Sequence, residues 1–183
     1  VVGLIHPDPS KAKHMLEQFI LYLRATLAET RAEKTTLARE FELMKNFLAV
    51  LQIRMGERLT VNLDLPADLH DYPIPPMLLQ PLVENAIKHG LEPNINGGNL
   101  TLHAEQREHR LIIIIADTGV GFKGAHSAGI GLKNVRERLT QLYGDAARLH
   151  IEETHPAGTT VILNLPLAWK PLIKPTLTED PKL

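Results

Sequence analysis

The sequence predicts an α+β fold, a two-layer α/β sandwich preceded by amphipathic helices. Three observations predict it. Apolar residues recur every three or four positions through the first third of the chain. From Leu59 they recur every second position, and further on a continuous apolar run, Leu111 to Ala116, stands between alternating segments. Helical periodicity that gives way to strands with helices interspersed is the pattern of a helical segment leading into a mixed two-layer unit.

Each element has a local reason. Asp8-Pro9 supplies an N-cap and a first-turn proline for a helix whose Met15, Phe19, Leu23 and Leu27 recur every four residues. The polar stretch Glu29 to Thr36 interrupts the pattern. Phe41, Met44, Leu48, Leu51 and Met55 then make a second stripe, which Gly56 ends. Two such helices cannot bury both stripes against each other, so another helix, another chain or the downstream domain must cover them. Leu59 to Leu65 alternates strictly, as a strand with one buried face does. Pro73 to Pro76 leads into an apolar helix over Met77 to His89, ended by Gly90 and the polar Asn94-to-Asn99 stretch. Leu100 to Ala104 alternates again, and Leu111 to Ala116 reads as a central strand. A helix over Leu132 to Leu142 and strands at Leu149 to Glu152 and Thr160 to Leu165 close the unit. From Trp169 the chain carries Pro171, Pro175 and Pro181 with no period and reads as a flexible tail.

Composition narrows the function classes. The 183 residues hold 20 Lys+Arg against 21 Asp+Glu, a formal charge of -1, so no global field draws in nucleic acid and no direct nucleic-acid binding is expected. The absence of Cys excludes a disulfide framework, a thiolate nucleophile and a Cys-based zinc site, and is compatible with the cytosol. The longest apolar run is six residues, far short of the ~20 a spanning helix needs, and with no basic stretch followed by an apolar one these residues are not expected to include an export signal. The first residue is Val, not Met, so the sequence is expected to be a piece of a longer polypeptide.

Three segments carry chemistry. Asn85, Lys88 and His89 in Glu84-Asn85-Ala86-Ile87-Lys88-His89 lie three or four positions apart on one helix face. An amide oxygen, an ammonium and an imidazole there suit a hydrated Mg²⁺ with phosphate oxygens, because Mg²⁺ keeps several waters and needs few protein ligands. Asp117-Thr118-Gly119-Val120-Gly121 follows the central strand. A carboxylate at a strand end accepts a hydrogen bond from an exocyclic amine such as adenine's, and the glycines allow a tight turn and close approach to a flat ring. Gly129-Ile130-Gly131-Leu132 precedes a helix, where main-chain N–H groups and the helix dipole favour phosphate. Taken singly, each has an ordinary reading as well: a solvated helix edge, a common turn and a flexible loop.

In this order, and followed by Gly158-Thr159, the segments resemble the ATP-binding domain shared by gyrase-type topoisomerases, heat-shock chaperone ATPases, sensor histidine kinases and mismatch-repair ATPases (the GHKL or Bergerat-type fold). Leu78 to Gly90, Gly131 to Leu139 and Tyr143-Gly144 are similar to LytS-type (AlgZ-like) bacterial sensor histidine kinases, as are Leu23-Arg24 and Glu42 to Arg54. The resemblance implies that Asn85 ligates Mg²⁺, with Lys88 and His89 near the phosphates of ATP. It puts Asp117 on the adenine amine, Gly119 and Gly121 around that end, Gly129, Gly131 and Leu132 along the phosphates, and Thr159 near the base. It also implies a helical dimerisation segment over 1–56, an ATP-binding catalytic domain over 57–168, and a tail over 169–183. A homodimer and a response-regulator partner of LytTR type are implied, as is a place on the cytoplasmic side of a bacterial inner membrane through upstream segments.

One departure is clear. The Asn-Pro-His-Phe-Leu-Phe-Asn acceptor motif of these kinases does not occur here, and His6 and His14 read as surface residues. The expectation is a region that binds Mg-ATP without phosphorylating itself. The alternatives are a hydrolase of the same superfamily and a non-catalytic nucleotide-binding scaffold. Pro81 stands four residues before Asn85, where the hydrolases resemble one another in placing a Glu that activates water, and proline has no side chain to accept a proton. Against the scaffold, Asn85, Asp117 and both glycine pairs are all present.

Overall fold

The computed structural model describes residues 2–29, 34–121, 130–154 and 156–167. Helix α1 spans Pro9–Glu29. Asp8 caps it as its side chain predicts, with Oδ1 accepting from the Lys11 N–H at 2.9 Å and from the Ser10 hydroxyl at 2.8 Å. Helix α2 spans Leu37–Met55, is capped by the Thr36 hydroxyl, and stops at Gly56, whose φ of 62° glycine adopts without penalty. Just before α2, the two-residue strand β1 (Thr35–Thr36) pairs antiparallel with β3 (Pro73–Ile74).

The main sheet has five strands: β2 (Leu59–Asp64), β4 (Gly98–Arg107), β5 (Arg110–Asp117), β6 (Arg148–Glu153) and β7 (Thr159–Pro166). Their order is β2-β4-β5-β7-β6, with β2 parallel to β4 and the other pairs antiparallel. The apolar run therefore lies in the middle strand, as its composition predicts. Leu111, Ile113 and Ile115 join Leu100, Leu102 and Ala104 of β4 and Val161, Leu163 and Leu165 of β7 in one core. Helices cover that face. Leu37, Phe41, Met44, Leu48 and Leu51 of α2 belong to the same core, as do Leu82 and Val83 of α3 (Gln80–Asn85) and Leu132, Val135 and Leu139 of α4 (Ile130–Tyr143). The buried Tyr143 packs there too.

The two helical stripes meet different fates. The sandwich itself covers the stripe of α2. Helix α1 rests on α2 through Tyr22 and Ala25, with the Tyr22 ring 5.4 Å from that of Phe47. Phe19 and Leu23, each 41% exposed, and Leu27, 66% exposed, face outward.

The helix expected over Met77 to His89 begins later, ends later and changes its winding. Met77 takes a φ of 57°, α3 starts at Gln80, and from Ala86 to Leu91 the winding is π, so the helical path runs through Gly90 instead of stopping there. The reason for the late start is Glu40, fully buried in α2. Its carboxylate accepts from the N–H groups of Met77, Leu78 and Leu79 at 2.6, 3.0 and 3.0 Å, so these amides are satisfied outside a helix. The π winding follows from the burial pattern. Leu82-Val83, Ala86-Ile87 and Gly90-Leu91 are buried in pairs four residues apart, and an α-helix of 3.6 residues per turn would rotate the last pair off the sheet. Among the described residues no helix is long and apolar enough to cross a membrane. Gly129 and the tail from Trp169 lie outside the described residues.

Since α2 shares the core with the sheet, truncating its stripe should weaken the whole unit as one. Leu48, 1% exposed, has no route to relaxation across a closed core. Leu48→Ala is expected to lower stability by about 2–5 kcal/mol in urea denaturation, in a single transition. Separate transitions for helices and sheet would contradict the common core.

Candidate functional site

The middle strand ends at Asp117, which is paired in register with Leu100 on one side and Thr159 on the other and is 2% exposed. Burial pushes its carboxyl above the usual carboxylate range, opposed by hydrogen bonds from the main-chain N–H groups of Gly119 and Thr159. The Gly119 bond measures 2.9 Å to Oδ1.

Glycine makes room for this acid. A Cβ on Gly90 would stand 2.5 Å from Asp117 Oδ1 and 2.8 Å from its Cγ, and one on Gly119 would overlap the carbonyl of Gly90. The two segments touch main chain to main chain, and the Val120 N–H donates to the Gly90 carbonyl at 3.0 Å. Gly121 lies past this contact and, with Val120, Thr154 and Gly158, lines an open cleft of about 300 Å³.

The helical path from Gln80 to Leu91 joins this corner to α4. At one end Pro81 faces Gly131, where a Cβ would meet the proline ring at 3.8 Å, and at the other Gly90 backs Asp117. Asn85 lies between the two contacts, at the change from α to π winding, half-buried. Its side chain takes no hydrogen-bond partner among the described residues. Lys88 and His89 stand exposed on the π turn. There the extra residue per turn brings His89 closer than Lys88 to alignment with Asn85, where an α-helix would place both nearby. Leu132 is buried in the core and Thr159 is buried beside Asp117, its partner in register. Of the predicted site residues, the structure thus sets Asp117, Gly119 and Thr159 together at the end of the middle strand with Gly121 just past them, while Gly131 meets the other end of the helical path that carries Asn85.

Two residues of this corner were not singled out in the sequence. Gly90 reads as a helix stop, yet it backs the acid. The signal was the shrinking side chain along one strip, Leu82, Ala86, Gly90. Glu40 falls on the apolar stripe of its helix, three residues after Leu37 and four before Met44, and a charge at such a position calls for a buried partner.

Chemically, the corner offers a recessed acceptor at one end and a free amide oxygen further along. Among the described residues no three His, Asp or Glu side chains gather as a metal cage. The Asn85 amide oxygen could give a divalent ion one ligand beside phosphates and water, a donor set that suits Mg²⁺.

Residues 75–168 match the family described as histidine kinase-, DNA gyrase B-, and HSP90-like ATPase, and residues 1–59 match the family described as histidine kinase. Sensor protein LytS of Oceanobacillus iheyensis is 33% identical over 179 residues, covering 90% of this chain and 30% of its own length. Sensor histidine kinase YpdA of Escherichia coli is 33% identical over 172 residues, covering 88% of this chain and 30% of its own. The chain spans less than a third of either relative. The histidine kinase domain of the Erythrobacter litoralis EL346 blue-light activated histidine kinase superposes with a TM-score of 0.58 at 18% identity, over 91% of this chain and 83% of that one. Acinetobacter baumannii histidine kinase AdeS does so at 0.56 and 16%, over 84% and 79%. At such identities these structures speak for the α+β fold, and the family match brings ATP as its nucleotide. The chain belongs to the histidine kinase-, DNA gyrase B- and HSP90-like ATPase family, on its sensor histidine kinase branch.

Proposed function

We propose that this chain is the ATP-binding catalytic region of a two-component sensor histidine kinase. In this reading it passes the γ-phosphoryl group of ATP to a histidine on a segment outside these residues, and from there to an aspartate of a response regulator. The observation that carries the reading is Asp117: an acid withdrawn from water, held by main-chain N–H groups, in a corner cleared of side chains by glycine. Such an acceptor suits the exocyclic amine of adenine. Gly119 and Gly121 would flank the purine, with Thr159 beside it. Gly129, Gly131 and Leu132 would line the phosphates at the start of α4, and Lys88 and His89 would reach them from the π turn.

Asn85 would hold Mg²⁺, which when bound offsets phosphate charge. The chain's own task is positioning, which is most of what phosphoryl transfer asks of a protein. The unprotonated imidazole nitrogen of the acceptor forms a bond to the γ-phosphorus and the other ring nitrogen gives up its proton to solvent, while the bond to the β-phosphate oxygen breaks and ADP leaves. Water must stay inert meanwhile. Pro81 brings no base to the turn before Asn85, and the exposed Glu84 is engaged with Gln80 Nε2 at 2.6 Å. This favours the kinase over the second reading, an ATP hydrolase.

We assign residues 1–56 to dimerisation, with α2 serving the sandwich core as well, 57–168 to catalysis and 169–183 to a tail. The outward apolar residues of α1 suit a homodimer. A LytTR-type regulator, and a place on the cytoplasmic side of a bacterial inner membrane through segments outside this chain, complete the proposal.

Three outcomes are expected. In calorimetry the chain binds Mg-ATP, and Asp117→Asn weakens binding by about 10- to 100-fold, the effect of losing a hydrogen bond worth roughly 1.5–3 kcal/mol. Unchanged affinity would contradict the adenine contact. With γ-labelled ATP the chain alone takes up no label, and label on His6 or His14 would contradict an acceptor elsewhere. Finally, the carboxyl of folded Asp117 titrates above its unfolded value of 3.8. Between those two values the folded state holds a proton that the unfolded state has lost, so stability falls as pH rises through the window. Asp117→Asn removes this contribution, so wild-type stability minus that of the variant should decline from pH 4 to pH 7. A difference that rises or stays level would contradict the burial argument.

A further inference from the structure

The helical path carrying Asn85 is gripped at both ends from α2 and the turn after it. At its start the buried Glu40 carboxylate takes three consecutive N–H groups, those of Met77, Leu78 and Leu79. Past its end Arg54 pairs with Glu92, and Arg58 Nη2 donates to the carbonyls of Glu92 at 3.3 Å and Asn94 at 2.8 Å. The two grips differ in kind. The arginine contacts are exposed and screened by water, whereas Glu40 is sealed in the core, where a carboxylate needs every bond it has. The far end of the path has a second anchor, the contact of Gly90 with Asp117 and Gly119. The near end has Glu40, among the described residues the one anchor there that holds the main chain itself, beside the Gln80 side-chain bond to the Tyr22 hydroxyl and the contact of Pro81 with Gly131.

From this we infer that Glu40 is a positioning residue for the metal-and-phosphate end of the site: through the 77–79 main chain it sets where α3, and with it Asn85, stands. This rests on the nucleotide reading above. On that reading the site hangs on two bodies. Asp117 belongs to the sheet and receives the purine, while Asn85 belongs to a helix whose start is fixed from α2. Loosening Glu40 moves the second body and spares the first. A glutamine cannot stand in, because its one oxygen replaces only one of the two carboxylate oxygens and its NH₂ group is then turned against an N–H that the other served.

Calorimetry with two ligands tests the assignment: Mg-ATP, which engages both bodies, and ADP in excess EDTA, which relies on the purine end. Glu40→Gln is expected to weaken Mg-ATP about tenfold and metal-free ADP less than about twofold. Leu48→Ala, a core truncation of α2 about two turns beyond Glu40, serves as the control and should leave the ratio of the two affinities unchanged. Should Glu40→Gln fail to fold, Glu40→Asp, which keeps the charge on a shorter arm, should shift the ratio in the same direction. Equal losses for both ligands, no loss for either, or the same shift in Leu48→Ala would reduce Glu40 to a stabilising residue and overturn the inference. A wild-type chain that binds neither ligand would instead overturn the nucleotide reading itself.

Discussion

A carboxylate buried at the end of a sheet can be held by a cation, by water or by the main chain, and here the main chain supplies the N–H groups of Gly119 and Thr159. That choice constrains much of the neighbourhood. Side chains are excluded at Gly90 and Gly119 because the helical path must come within contact of the acid. The path must also keep turning the same side to the sheet for three turns, which α winding does not do, and so it relaxes into a π turn at Ala86. The cost of the wider turn is offset by the contact it delivers, main chain against carboxylate with nothing between.

The second constraint is the shared core. Helix α2 contributes its stripe to the same apolar cluster as the sheet, and from that fixed seat it presents Glu40 to the approach of α3. A helix that might have been a separate stalk is thus a wall of the sandwich. Helix α1 is different. It leans on α2 through Tyr22 and Ala25 and turns Phe19, Leu23 and Leu27 outward. Tyr22 also reaches the site's helix, its hydroxyl accepting from Gln80 Nε2 at 2.7 Å. Both helices of the first third therefore touch the segment that carries Asn85.

What could be read in advance was local. Alternation marked β2 and β4, the run of isoleucines marked the middle strand, Asp8-Pro9 marked the start of α1 and Gly56 the stop of α2. The segments around Asn85, Asp117 and Gly131 stood out because amides, acids and glycines at element ends are uncommon in packing roles. What could not be read depends on contacts between distant residues. Strands β1 and β3 hold two residues each and exist only because Thr35 meets Ile74. Glu40 stands in the first turn of α2, where the helix dipole favours an acid, and only the arrival of Met77 to Leu79 explains its burial. Gly90 looked like a terminator because its partner, Asp117, lies 27 residues further along.

The central claim is that one nucleotide spans the corner from Asp117 to Asn85. The most direct measurement is a crystal structure of the chain with Mg²⁺ and a non-hydrolysable ATP analogue. The account predicts the exocyclic amine of adenine on the Asp117 carboxylate, the metal on the Asn85 side-chain oxygen, and the phosphates against the start of α4. A nucleotide bound elsewhere, or bound here with its phosphates toward Asp117 and its base toward Asn85, would contradict it.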